Sequence, residues 1–270
     1  MLIDNRDGKK LVFRCRKKVT VKKKKKCCNY KASIFKNTYF ENSNWTVKKV
    51  LIAAWHWLTR DPPRQNFIRK ETKGSKRTVV DWASFNREVL LDWCERNSAK
   101  DLIGGPGEEV EIDEAKFGKR KYNRGRRVKG QWVFGGTLRS DPKVIFLEPV
   151  ERRDKETLLE IIQRRIKPGT CILSDCWKSY DCLWDEGYTH FTINHTYSFV
   201  DPDTGAHTQH IERAWREVRA RIPRYGRKDA HFIGYLAEFM FKRSFPDHTV
   251  RLHEFLKAAA NLYPPIRPST

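Results

Sequence analysis

The sequence lacks the features that would place it in a membrane or outside the cell. No apolar run approaches the roughly 20 residues of a membrane-spanning helix, and the first ten residues lack the apolar centre of a signal peptide. The seven cysteines include no C-x-x-C pair, and their spacing indicates no disulfide framework. We therefore expect a soluble, intracellular protein with reduced thiols and no membrane partner.

Acidic residues are scarce beside basic ones. The chain has 33 Asp and Glu residues against 55 Lys and Arg residues, which gives a formal net charge of +22. The first 100 residues alone contain 26 basic and 9 acidic residues. Because a surface of this sign attracts polyanions before any specific contact forms, the composition predicts binding to nucleic acid, with the strongest attraction at the front of the chain.

Residues 1–45 are predicted to be a basic arm. Five lysines at 22–26 are followed by Cys27 and Cys28, and Cys15 lies upstream. A zinc ribbon needs four Cys or His ligands in paired spacing, so these thiols indicate either a degraded ribbon or incidental cysteines, and we expect no structural zinc. The lysine run is interpreted as a nuclear-import signal, a phosphate-binding arm or a solvated segment.

Residues 46–103 are predicted to be a small helical domain. A helix begins near Thr46 and stops before the Pro62-Pro63 pair, a short one covers 65–70, and Ser75 is a natural N-cap for a longer helix reaching about residue 97. This layout is typical of a helix-turn-helix, in which the start of the last helix faces DNA. The candidate DNA-facing residues are Lys76, Arg77 and Thr78. The alternative is a helical bundle whose charges are merely exposed.

After a Gly-Gly-Pro-Gly linker at 104–107, apolar and acidic residues alternate as they do in a β-strand. Within 109–113, Val110 and Ile112 fall on one face, while Glu111 and Asp113 fall on the other. Asp113 is therefore not a simple core residue.

The rest of the chain completes a pattern of strands and helices. Further strands are predicted at 131–138, 143–147, 170–175 and 189–194, and helices from Asp154 or Thr157, at 179–186 and at 209–222. Three strands, a helix, a strand, a helix, a strand and a helix is the order of a ribonuclease-H-like fold. The sequence thus predicts an α/β domain with a mixed five-stranded sheet flanked by helices, preceded by the basic, helix-turn-helix-like domain.

Three acids occupy the positions where such a sheet would carry metal-binding carboxylates. Asp113 lies on the first strand, Asp175 ends the fourth, and Glu212 lies on the late helix. Two divalent ions need hard oxygen ligands, so the trio predicts two Mg²⁺ ions, with Mn²⁺ as a substitute. Each acid also has a simpler interpretation: Asp113 pairs with a nearby cation, Asp175 caps the following helix, and Glu212 pairs with Arg216.

At these residues the sequence resembles the DDE transposases of the Merlin superfamily and their bacterial insertion-sequence relatives. The likeness runs from about residue 40 to 245, and its specific parts are the segments 111–117, 132–136, 173–180, 207–212 and 235–239. It implies that Asp113, Asp175 and Glu212 hold the metals for end cleavage and strand transfer of transposon DNA. Bacterial relatives often have Asn where this chain has Gln209 and Lys where it has Arg219, so Gln209 and His210 are auxiliary candidates for the metal shell.

The resulting hypothesis is a DDE transposase that binds transposon ends and target DNA as a homo-oligomer. The expected divisions are 1–45, the helical DNA-binding domain 46–103, the ribonuclease-H-like catalytic domain 108–246, and a C-terminal helix and tail at 247–270. Further DNA-binding candidates are Arg126, Arg127, Arg216, Arg219, Arg224 and Arg227. The alternatives are a domesticated DNA-binding protein that no longer cuts, and a nuclease of the same fold. In a eukaryote the protein would be nuclear; otherwise it would be cytoplasmic.

Overall fold

A computed structural model describes residues 2–4, 12–21, 24–28, 30–61, 65–98, 102–118, 130–175, 180–193, 207–222 and 231–264. Among the helices of this described part, none combines the length and the apolar character that a membrane span requires.

The front of the chain forms short strands where the sequence predicted an arm. An antiparallel sheet contains three of them: β1 (Leu2–Asp4), β2 (Val12–Arg14) and β5 (Lys31–Ser33), in the order β1-β2-β5. The other two, β3 (Lys18–Val21) and β4 (Lys24–Cys27), form an antiparallel hairpin. Valine, threonine and phenylalanine between the lysines favour extended backbone, which explains the difference.

The predicted helices of the next region are confirmed. They are α1 (Val47–Thr59), α2 (Gln65–Thr72) and α3 (Lys76–Ser98). Thr46 caps α1 by accepting the Lys49 N–H, and Ser75 caps α3 by accepting the Thr78 N–H at 3.1 Å.

Two C-terminal helices pack against these three. They are α6 (Phe232–Ser244) and α7 (Arg251–Leu262). One hydrophobic core combines residues from both groups, including Trp57, Leu58, Leu90, Phe241 and Phe255. The predicted divisions at 103 and 246 stay predictions, but α1, α2 and α3 pack with α6 and α7 into one helical layer.

The predicted five-stranded mixed sheet is confirmed. Its strands are β6 (Glu109–Phe117), β7 (Gln131–Leu138), β8 (Ile145–Val150), β9 (Cys171–Asp175) and β10 (Thr189–Ile193), in the order β10-β9-β6-β7-β8. The central strand β6 pairs antiparallel with β7 and parallel with β9, as a ribonuclease-H-like sheet requires.

Helices cover both faces of this sheet. Val110 and Ile112 share a core with α4 (Lys155–Arg165), whereas Ala115 and Phe117 share another with α5 (Gln209–Arg221). The alternation in β6 therefore continues four residues beyond the predicted end of the strand, and it directs odd-numbered side chains towards α5.

The prediction of a short helix at 179–186 is wrong for residues 180–186, the part of this range that the structure describes. Residues 180–187 form successive tight turns, in which the Leu183 N–H bonds to the Tyr180 carbonyl and the Glu186 N–H to the Leu183 carbonyl. Gly187, with φ at 84°, ends the segment.

Candidate active site

Three carboxylates from three elements line one cavity. The cavity has a volume of about 110 Å³ and is lined by Ile112, Asp113, Asp175, Thr208 and Glu212. Asp113 lies within β6, Asp175 is the last residue of β9, and Glu212 lies in the first turn of α5. The acids singled out in the sequence are therefore brought together by the fold.

The pairing register explains why Asp113 and Asp175 meet. In the parallel pair β6–β9, Glu111 lies opposite Leu173. Side chains two residues further along a strand return to the same face, so the same register brings Asp113 level with Asp175. This is the carboxyl end of β9, the edge where sites form in α/β sheets.

Asp113 is held by two hydrogen-bond donors. Its Oδ1 accepts the Glu114 N–H at 2.7 Å, and its Oδ2 accepts the indole N–H of Trp215 at 2.9 Å. Burial raises the pKa of Asp113 from its ordinary 3.8 to about 6, and the charges of Asp175 and Glu212 act in the same direction against these two bonds. A cation bound among three like charges would relieve this repulsion.

Glu114 is a second carboxyl with a raised pKa, on the opposite face of β6. Burial, followed by the charges of Asp113 and Asp175, raises the pKa of Glu114 from 4.5 to about 8, while Arg153 opposes the shift. The Tyr180 hydroxyl donates to Glu114 Oε1. No role for Glu114 was predicted from the sequence. The feature that could have identified it is its position next to Asp113 within the segment 111–117.

Glu111 on β6 is fully buried, and its carboxylate lies beside the start of α5. Its Oε2 accepts the backbone N–H groups of His210 at 2.8 Å and Ile211 at 3.0 Å. Its Oε1 lies 2.7 Å from His210 Nδ1 and 3.3 Å from His207 Nδ1. One ligand atom from each of these three side chains lies within 4.8 Å of the others, so the group is a candidate metal centre within the described part of the chain. Sequence reasoning placed Glu111 on the face of Asp113 but missed these contacts.

The two auxiliary candidates take different places. Gln209 is exposed at the first position of α5, and its N–H donates to His207 Nδ1 at 3.4 Å. His210 turns to Glu111 and also lines a second cavity of about 580 Å³. The side chains facing that cavity include six cations and two acids, namely Lys143, Arg213, Arg221, Lys242, Arg243, Arg251, Asp141 and Glu217.

The predicted DNA-binding residues fall into three groups. Lys76 and Arg77 are exposed in the first turn of α3, whereas Thr78 is half-buried and its hydroxyl bonds to Ser75. Arg216 and Arg219 are exposed on α5, with the Arg219 guanidinium 5.4 Å from the centre of the Phe117 ring. The remaining four lie outside the described residues: Arg126, Arg127, Arg224 and Arg227.

Two solved structures of Mos1 transposase are similar to this chain at low scores. They are the Mos1 mariner paired-end complex with Mn, at 14% identity and a TM-score of 0.34, and a pre-cleavage Mos1 transpososome, at 12% identity and 0.27. Each match covers 75% of this chain and 75% of the other. Scores this low support no conclusion about the present chain.

The sequence comparisons are more specific. An uncharacterized transposase-like protein of Haemophilus influenzae is 31% identical over 83 residues, which is 30% of this chain and 66% of the relative. The model of the ISXO2-like transposase domain matches residues 105–244, from the linker before β6 to the end of α6. Since that match covers more than half of the 270 residues, the chain belongs to the ISXO2-like transposase domain family of DDE transposases.

Proposed function

We propose that this transposase cleaves DNA at transposon ends and transfers the strand to target DNA, with Asp113, Asp175 and Glu212 holding two Mg²⁺ ions for which Mn²⁺ can substitute. The observation that carries the proposal is the convergence of these three carboxylates, from three elements, on one cavity of about 110 Å³. A hydrolytic nuclease would need the same site, so joining of ends is the distinguishing activity.

The donor set of the cavity fits a hard divalent cation. Its polar lining consists of three carboxylates and the Thr208 side chain, and oxygen ligands are those that Mg²⁺ prefers. When bound, such ions supply activation of the attacking oxygen and stabilisation of the leaving oxygen. The chain's own part is to hold Asp113 between the Trp215 and Glu114 N–H donors and to set Glu212 across from it on α5.

Exposed cations near the cavity support DNA as the substrate. Arg216 and Arg219 follow Glu212 by one and two turns of α5. Lys76 and Arg77 offer a second contact at the start of α3, and the net charge of +22 favours polyanions as a whole. We propose that two copies of the chain pair two transposon ends.

The test is an assay of cleavage and strand transfer with DNA that carries the ends of the protein's own element. With Mg²⁺ or Mn²⁺, the wild type should cut and join, and Asp113→Asn, Asp175→Asn and Glu212→Gln should each lose both steps. Glu156→Gln, which removes an exposed carboxylate from α4, is the matched control and should remain active. Cutting without joining would identify a nuclease, and DNA binding alone a domesticated protein.

A further inference from the structure

We propose that Glu111 is a positioning residue that fixes Glu212 over Asp113 by clamping the start of α5 to β6. The inference rests on the proposed function, because it assigns Glu111 to the placement of a metal ligand. Glu111 does not line the cavity, so it is not itself a catalytic residue.

The carboxylate of Glu111 is fully buried. A fully buried carboxylate is strongly unfavourable unless hydrogen bonds and opposite partial charges compensate it. Here both oxygens are engaged: Oε2 by the N–H groups of His210 and Ile211, and Oε1 by the ring of His210 at 2.7 Å. The positive end of the α5 dipole adds to this compensation.

From its place on β6, Glu111 performs the task of an N-cap for α5. The residue at the N-cap position of α5, Thr208, makes no capping hydrogen bond with its side chain. The N–H groups of the second and third helical residues are those that an N-cap side chain normally binds. In α5 they belong to His210 and Ile211, and Glu111 binds both. The helix start is therefore anchored to the sheet.

Hydrogen bonds tie α5 to β6 at two points with matching spacing. Glu111 binds the N–H of Ile211, and Asp113 accepts the indole N–H of Trp215. Four helical residues rise about 6 Å, and two strand residues span about 6.6 Å, so both ties fit one alignment of helix and strand. Glu212 lies between the two ties and cannot shift along β6 while both hold.

The experiment compares Mn²⁺ binding in three variants by metal-dependent thermal stabilisation of the full chain without DNA. Glu111→Gln keeps the side-chain size but replaces a charged acceptor with a neutral amide oxygen, so its bonds to the two backbone N–H groups become weaker. Loss of an outer contact of a metal ligand weakens binding by about 10-fold or more, and this is the expected result. Val218→Ala is the matched control: it removes buried volume from α5 and should lower stability without changing Mn²⁺ affinity. Asp113→Asn should abolish the Mn²⁺ response.

A second measurement follows amide exchange at His210 and Ile211, which should become faster in Glu111→Gln and stay slow in Val218→Ala. If Glu111→Gln does not fold, His210→Ala, which keeps both amide bonds, should weaken Mn²⁺ binding to a smaller extent. Unchanged Mn²⁺ affinity in the folded variants would overturn the inference.

Two other outcomes would distinguish this inference from a metal centre at Glu111 and from a failure of the proposed function. One zinc ion per purified chain, lost in both His207→Ala and His210→Ala, would overturn the clamp by making the Glu111 group a metal centre itself. A wild type that shows no Mn²⁺ response, indistinguishable from Asp113→Asn, would instead overturn the proposed function and with it the role assigned to Glu111.

Discussion

Among single residues, Asp113 is a buried carboxylate whose ionisation is unfavourable in the folded protein. Its pKa of about 6 in the folded chain exceeds its ordinary 3.8, so the folded state binds this proton more tightly than the unfolded state does. Ionised Asp113 therefore opposes folding above about pH 6, and the opposition fades as the pH falls to 3.8. Such an energetic penalty is expected of an acid that is placed to bind a cation.

We expect Asp113→Asn to stabilise the metal-free protein at pH 7.5 by about 1 to 3 kcal/mol, since two pKa units correspond to nearly 3 kcal/mol and one hydrogen bond is lost. The gain should shrink between pH 6 and pH 4 as the wild-type Asp113 takes up its proton. In Mn²⁺ the order of stability should reverse. Thermal unfolding in EDTA and in Mn²⁺ across this pH range measures both effects; a destabilised variant in EDTA at pH 7.5 would contradict them.

At the scale of elements, a glycine on β7 allows α5 to pack closely against the sheet. Gly135 lies opposite Asp113 in the β6–β7 register. A Cβ atom at Gly135 would lie 2.8 Å from a ring carbon of Trp215 and 2.7 Å from Leu147 Cδ2. The missing side chain therefore lets the indole lie against β7 and reach Asp113.

Gly135→Ala is expected to lower the free energy of unfolding by about 1 to 3 kcal/mol, because an overpacked core must shift Trp215 or Leu147. The displaced indole should also release Asp113 and weaken Mn²⁺ binding. Val133→Ala removes volume from the same core without crowding Trp215, so it should lose stability alone. Chemical denaturation with and without Mn²⁺ separates the two effects, and equal Mn²⁺ affinities in both variants would count against the role of Gly135.

The sequence predicts most elements here because its periodicity reports local burial. The alternation around Asp113 predicts β6, and the spacing of Ile211, Trp215 and Val218 predicts α5. The order of strands and helices, interpreted as a ribonuclease-H-like fold, then predicts that Asp113, Asp175 and Glu212 lie close together. The structure brings the three acids to one cavity.

The contacts that hold the site are not indicated by any periodic pattern in the sequence. Glu111 caps a helix that begins 98 residues later, and no periodicity links a buried strand carboxylate to distant backbone amides. The alternation even left Glu111 and Asp113 indistinguishable, although one is clamped to α5 and the other lines the cavity. Their roles are distinguished by their contacts in the folded structure, which a single sequence does not show.

At the scale of the whole molecule, a buried lysine joins α6 to the end of α1. Lys242 on α6 donates to the carbonyls of Trp57 and Arg60 and to the carboxylates of Asp61 and Glu238, at 2.9 to 3.0 Å. The carbonyls belong to the end of α1, where unpaired acceptors favour a cation. The start of α3, where Lys76 and Arg77 are exposed, thus belongs to a helix that shares one core with α1 and with the end of the family domain.

Lys242→Met is expected to destabilise the protein by about 3 to 5 kcal/mol, because the buried Glu238 carboxylate loses its hydrogen-bonded cation and keeps Arg87 at 3.9 Å. Lys257→Met is the control. Lys257 is an exposed lysine on α7 that pairs with Glu254, and its replacement should change stability by less than about 0.5 kcal/mol. Urea denaturation compares the two, and a small effect at Lys242 would show that its four bonds do not hold the helical layer together.

Electrostatics links the whole molecule to its proposed substrate. Each phosphate contact contributes about 0.9 to the slope of log affinity against log salt concentration. Arg216 and Arg219 are exposed on the helix that carries Glu212, so we expect DNA bound at the cavity to contact them.

We therefore expect the double variant Arg216→Gln, Arg219→Gln to reduce the magnitude of that slope by about 2, and to weaken binding uniformly across unrelated duplexes, because phosphates carry no sequence information. Arg96→Gln is the control: this exposed arginine, at the opposite end of α3 from Lys76, already pairs with Asp92 at 2.6 Å and should leave the slope unchanged. Fluorescence anisotropy from about 50 to 200 mM salt measures the slopes. If the double variant and the control match the wild type, DNA reaches the cavity along another face, and the basic cavity lined by Lys143 and Arg213 becomes the next surface to change.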